Sequence, residues 1–152
     1  MHSWAVIDGE YRYWLARTWS NDLPPVTFVM LNPSTADGTY DDPTIRRCIG
    51  FAREWGYGGI VVVNLFAYRA TYPRELSIVP DPVGPDNDAY IEMAACHRTV
   101  VAWGAQKTHG RDLHVATLLT DPLCLGRTKR GAPLHPLFVP HGTPLIPWRQ
   151  HA

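Results

Sequence analysis

The residues best suited to chemistry are two asparagines, Asn32 and Asn64, each closing an apolar run, and a histidine, His135, beyond a short basic segment. A carboxamide offers two N–H donors and a carbonyl acceptor. Asn32, followed by Pro33 and Ser34, can therefore hold a water or a base edge; Asn-Pro-Ser is equally an ordinary turn. Asn64 follows Ile60-Val61-Val62-Val63 and precedes Leu65-Phe66. An amide at a buried strand end must find partners or cost about 1–3 kcal/mol. A nucleobase edge is one such partner and loop backbone is another. His135, in Leu134-His135-Pro136-Leu137, can supply a proton or a positive charge to a developing anion.

Other segments carry weaker signals. Asp37, Tyr40, Asp41 and Asp42 can form paired carboxylates or a magnesium site. For Asp42 the better reading is a helix N-cap, because Pro43 follows it. Tyr40 can stack on a planar ligand or pack in the core. Arg69 can bind phosphate, although a lone arginine is usually at the surface or ion-paired. Gly126-Arg127-Thr128-Lys129-Arg130-Gly131 reads as a phosphate-binding loop or as a solvated basic turn. It lacks the triphosphatase pattern G-x-x-x-x-G-K-[ST], and the chain has no G-x-S-x-G, H-E-x-x-H or G-x-G-x-x-G. Trp103-Gly104 reads as core and turn.

The elements that must position these residues are legible from periodicity. Trp4–Ile7 and Tyr11–Trp19 flank the hairpin signal Asp8-Gly9. Tyr11, Tyr13, Leu15 and Arg17 would share one face. Val26–Leu31, Ile60–Leu65, Thr99–Trp103 and Pro122–Leu125 read as strands. Ile45, Cys48, Ile49, Ala52 and Trp55 recur at helical spacing, with Gly56 as the stop. Two more helices are expected over Asp86–His97 and Gly110–Thr120, and a Pro-rich tail closes the chain. Alternating strands and helices predict an α/β domain of three α/β/α layers, with a central four-stranded parallel sheet and an N-terminal antiparallel hairpin. Ligands of such sheets bind beyond the carboxyl ends of the strands. Asn32-Pro33-Ser34, Asn64, Trp103-Gly104 and the Gly126–His135 loop all lie at those ends.

Composition bounds the rest. The chain has 152 residues, 14 Lys+Arg against 14 Asp+Glu, 45 % hydrophobic and 18 % charged residues. This fits one globular domain over residues 1–152. Zero net charge argues against a non-specific nucleic-acid coat, which needs excess Lys and Arg. It leaves room for a local basic rim. Cys48, Cys96 and Cys124 are scattered, which fits a reducing, cytoplasmic setting and offers no metal framework. No metal and no cofactor are expected. The opening Met1-His2-Ser3-Trp4 lacks signal-peptide character, and no apolar run is long enough to span a membrane.

The phrases LNPSTAD, DDPTIRRCIGFAREWGYGGIVVVNLFAYRAT, DPVGPDND, WGA and CLGRTKRGAPLHPLFVP resemble the bacterial and phage family called domain of unknown function 1643 (DUF1643), over nearly the whole chain. More distantly, the order and spacing of segments are similar to the uracil-DNA glycosylase superfamily. Its first strand ends in D-P or N-P, matched by Asn32-Pro33, which implies that Asn32 positions the attacking water. Its second strand ends in an asparagine that reads the base edge, matched by Asn64. NLFAYRAT, followed by Leu76-Ser77, is similar to the mismatch-specific branch. The third strand's W-G is matched by Trp103-Gly104. The final H-P-S is matched in part by His135-Pro136, which implies that His135 stabilises the departing base. Leu137 replaces the serine of that motif, and no clear wedge residue follows it. Asn32 cannot act as a carboxylate base, and Pro140–Pro147 replaces the usual closing helix.

The resulting expectation is a nucleobase-recognising N-glycosidic hydrolase acting on a modified or deaminated base in DNA. Asn32 and His135 would be catalytic. Pro33, Ser34, Asn64 and Tyr40 or Phe66 would bind the base, and Arg69, Arg127 and Lys129 would hold phosphates. The partner would be a nucleobase or nucleotide, in single-stranded or locally opened DNA, and not a membrane. The alternatives are a non-catalytic nucleobase or nucleic-acid binding module, or an enzyme that modifies free nucleotides.

Overall fold

A computed structural model of the protein describes residues 1–149. It is a mixed α/β architecture built on one seven-stranded sheet. Strands β1 (His2–Asp8) and β2 (Tyr11–Thr18) form the expected hairpin. Gly9 takes φ +58° in its turn, a left-handed conformation that glycine adopts without a Cβ clash. Strands β3 (Pro25–Met30), β4 (Gly59–Asn64), β5 (Arg98–Val101) and β6 (Leu123–Cys124) follow, and β7 (Ile146–Pro147) lies at the far edge. The spatial order is β1-β2-β4-β3-β5-β6-β7. The contacts β4–β3, β3–β5 and β5–β6 are parallel. The hairpin does not stand apart from the sheet: β2 pairs antiparallel with β4, Leu15 opposite Val62.

Strands β3 and β4 are apolar without interruption because both faces are covered. Val26, Phe28, Met30, Ile60 and Val62 point to one core, and Val29, Leu31, Val61 and Val63 to the other. Helix α1 (Pro43–Glu54) fills the first core with Ile45, Cys48, Phe51 and Ala52. Helices α2 (Asn87–Ala94) and α3 (Arg111–Ala116) fill the second with Ile91, Ala94 and Val115. No helix among the described residues is long and apolar enough to cross a membrane.

Several boundaries differ from the sequence expectation. Helix α3 stops at Ala116 rather than Thr120, because the amides of Thr117, Leu118 and Leu119 turn back to carbonyls three residues earlier. The Thr117 hydroxyl also donates to the His114 carbonyl. That tightening ends an α-helix. Helix α2 ends at Ala94 in the same way, with Cys96 and His97 donating to Met93 and Ala94. The tail contains structure that its prolines disguised. A 3-10 turn spans Pro136–Phe138, and β7 pairs antiparallel with β6. Proline is tolerated there because β7 is an edge strand.

Candidate functional site

At the carboxyl ends of β3, β4 and β5 lies a cavity of about 380 Å³, within the range of small-molecule sites. Its wall includes Asn32, Ser34, Asn64, Trp103, Gly104 and His135. Four chain segments thus meet at one sheet edge. Gly104 turns the chain out of the β5 strand end with φ +79°, and a Cβ there would lie 3.4 Å from the His135 Cβ. The left-handed φ, rather than the space, is what favours glycine at this point.

Asn64 is 1 % exposed, and neither its Nδ2 nor its Oδ1 has a hydrogen-bond partner. Its backbone carbonyl is engaged. Met30 and Asn64 are register partners, and Asn87 Nδ2 donates to the Asn64 carbonyl at 2.9 Å. Arg111 Nε donates to the next carbonyl, Leu65, at 2.8 Å, while its other arm meets Asp88. The strand end is tied from behind, and Asn64 lines the cavity while both of its amide atoms lie buried without partners.

Asn32 is fixed differently. Its Nδ2 donates to the Pro33 carbonyl at 2.9 Å and to the Ala70 carbonyl at 3.0 Å. With both N–H groups used, Oδ1 remains as an acceptor that can orient a water. His135 accepts from the Leu137 amide at Nδ1 over 3.2 Å. That bond places the neutral ring's proton on Nε2, making Nε2 a donor. Arg47 of α1 secures this turn, donating through Nε to Pro136 at 3.2 Å and through its second arm to Val139.

Burial lowers the His135 pKa below 6.5, against a weaker opposing pull from Asp42. The ring is therefore neutral at physiological pH. A folded-state pKa below the unfolded value means the unfolded chain takes up the proton first. Stability is full above about pH 6.5 and is lost as pH falls through the lowered folded value. An NMR titration should place the His135 midpoint below 6.5. In urea melts from about pH 8 to about pH 5, His135→Gln should remove this part of the acid destabilisation. A midpoint at or above 6.5 would contradict the assignment.

One cavity residue, Arg12, had no sequence signal. Arg12, on β2, is 2 % exposed and forms part of the wall. Burial pushes its pKa down to about 10, partly offset by the Asp42 charge, so it stays cationic. Asp42 does cap α1, accepting from the Ile45 amide at 2.9 Å through Oδ1. Its Oδ2 accepts from the Ala36 amide at 3.3 Å, and the same residue also lines the cavity. Beneath this pair, burial drives the Cys48 thiol far up, leaving an inert packing group. Arg12 was hidden inside a strand pattern that grouped Tyr11, Tyr13, Leu15 and Arg17 on one face and left Arg12 on the other.

Several expected ligand contacts lie elsewhere. Phe66 is buried in the core behind the sheet, its ring edge-on to His109. Tyr40 is exposed, and its carbonyl accepts from Arg17. Pro33 is buried outside the cavity wall. Arg69 is half-buried, with its amide on the Glu10 carbonyl, and is also absent from the wall. Arg127 folds over the Trp148 ring at 4.1 Å and bonds the Arg149 and Gly131 carbonyls. Lys129 is exposed beyond the wall. Thr128 is the member of that basic loop that does line the cavity. Trp103, expected to be core alone, is both core and wall. Among the described residues no group of three His, Cys, Asp or Glu side chains is placed to hold a metal ion.

A protein-family model described as "Protein of unknown function (DUF1643)" matches residues 12–137. Comparison with curated proteins and with solved structures yields no match.

Proposed function

This chain belongs to the DUF1643 family, and we propose that its cavity receives a nucleobase and that the protein hydrolyses the N-glycosidic bond of a modified or deaminated base. The observation that carries this reading is Asn64. Its amide is buried, held from behind, unpartnered, and part of the cavity wall. An adjacent donor and acceptor match a lactam edge, N–H beside C=O, with two hydrogen bonds. The accompanying fold reading is a uracil-DNA-glycosylase-like core. It is supported by the parallel order β4-β3-β5-β6 and by Asn32, Asn64, Gly104 and His135 around one cavity.

In the proposed step, Asn32 Oδ1 accepts a hydrogen bond from a water and aims its oxygen at the sugar carbon. The C–N bond breaks, and its electron pair leaves with the base. The water oxygen bonds to that carbon, and the water proton it sheds passes to solvent. The Nε2–H of neutral His135 donates to the base oxygen on which negative charge gathers. Desolvation of the extruded base would strengthen these contacts.

The sequence showed no clear residue to fill the space vacated by an extruded base. Phe138 now fits that part: it is 82 % exposed beside the cavity mouth, next to partly exposed Leu137. An exposed apolar ring at that place favours opened DNA over a free nucleotide.

The test incubates the protein with single- and double-stranded DNA containing uracil, hypoxanthine or 5-hydroxymethyluracil and measures released base by mass spectrometry. Release is expected, and Asn32→Ala should slow it about a hundred-fold while sparing binding. No release at stoichiometric protein would sink the hydrolase reading. A binding module is the second reading, favoured by one observation. Both oxygens of Asp42, the carboxylate among the described cavity residues, already accept backbone N–H groups. Tight binding without turnover would select it.

A further inference from the structure

We propose that Arg12 selects an acidic ligand: the ring that meets Asn64 with a lactam edge also presents an anionic oxygen, a carboxylate or ring enolate, to the Arg12 guanidinium. This rests on the nucleobase reading of the cavity and adds the charge of the ring.

Strand β2 carries two buried arginines, and they differ in one respect. Arg17 is fully supplied with acceptors. Its Nε meets Asp41 at 2.8 Å, and its terminal nitrogens reach the carbonyls of Ala16, Asp37 and Tyr40. Among the described residues Arg12 makes one side-chain hydrogen bond, Nη1 to the Ala36 carbonyl at 3.0 Å. Its Nε is buried without a partner. Among the described residues no carboxylate forms an ion pair with it. Asp42 offers charge from a distance, but its oxygens are committed to the Ala36 and Ile45 amides. Arg69 and Arg17 add further positive charge around Arg12.

A buried cation without a paired anion is costly. It is retained where a ligand completes the pair, as guanidinium forks do with carboxylates. Arg12 and Asn64 line the same cavity. One small planar ligand with a lactam edge and an anionic oxygen satisfies both orphaned groups at once. The other ionisable groups of the wall, neutral His135 and the hydrogen-bonded Asp42, add no second cation.

The test is calorimetric titration of the full chain at neutral pH and constant ionic strength. The probes are uracil, 5-carboxyuracil, orotate and barbiturate, with uracil and 5-carboxyuracil also as 2′-deoxynucleosides. At least one anionic ring should bind about ten-fold or more tighter than uracil, the value of a charge-assisted hydrogen bond over a neutral one. Arg12→Gln should bring that ratio to near one, and Arg12→Lys should restore part of it. A wild-type preference for uracil, or an unchanged ratio in R12Q, would overturn the role of Arg12 and leave the nucleobase reading standing. Failure of every ring to bind would overturn both. The wild-type series needs no variant, so misfolding of R12Q leaves the test intact.

Discussion

Asn64→Leu is expected to melt at a higher temperature than the parent protein and to bind no nucleobase. Both amide atoms of Asn64 are buried without partners. In the ligand-free protein they therefore oppose folding by about 1–3 kcal/mol. Leucine has a similar shape and leaves no polar atom unsatisfied. Each kcal/mol recovered raises Tm by about 2–4 °C in a domain of this size. The same change deletes two hydrogen bonds to the ligand, which together carry roughly 100-fold or more in affinity. A site residue that stabilises when replaced and abolishes binding is the mark of stability exchanged for function. Thermal melts and ligand titrations on the two proteins check it. A lower Tm together with undiminished binding would show that Asn64 is a structural amide.

Arg17→Met is expected to have the opposite signature, a large loss of stability that weakens the site indirectly. Arg17 is 0 % exposed and ties β2 to the Asp37–Asp41 segment through three acceptors, one of them charged. Removing it strands the carbonyl of Asp37, leaves that of Tyr40 with the Asp37 amide alone, and leaves Asp41 unpaired. Asp41 is 30 % exposed, so the loss is that of a charge-assisted hydrogen bond plus a stranded carbonyl, about 3 kcal/mol, a fall in Tm of roughly 6–12 °C. The segment leads directly into Asp42, which caps α1 and lines the cavity. Hydrogen exchange at the amides of Thr39 and Tyr40, which now donate to Asp37, should accelerate more than exchange in β3. Asp41→Asn should be milder, since an amide oxygen still accepts from Arg17. An R17M protein with unchanged Tm would refute the account.

Much of the framework was legible because it depends on local signals. Alternation and a glycine turn mark the β1–β2 hairpin. Continuous β-branched runs mark β3 and β4. Asp42-Pro43 and the spacing from Ile45 to Ala52 mark α1. The ends of these strands were legible for the same reason, and Asn32 and Asn64 sit where the chain leaves the sheet. Strand β6, two residues long, lies within the expected Pro122–Leu125 strand, but β7 was not legible, because it exists only where the tail returns beside β6. No window of sequence carries that pairing.

The basic residues show the limit most clearly. Arg127 looked like a phosphate ligand because three cations stand within four residues, yet it packs on Trp148 of the returning tail. Arg47 carried no site signal in the sequence, yet it holds the turn that carries His135. Long side chains take their partners from wherever the fold brings acceptors, so their roles are decided at long range.

By itself the sequence determined an α/β chain with two amides and a histidine at the ends of its strands, since strand ends and caps follow from a few neighbouring residues. Only the tertiary structure decided which of these groups face one cavity and which are already satisfied. It set Arg12 in that wall with an unpartnered nitrogen, and gave Arg17, on the same strand, a full set of acceptors. The two arginines are alike in sequence and differ because hydrogen-bond satisfaction belongs to the folded surroundings.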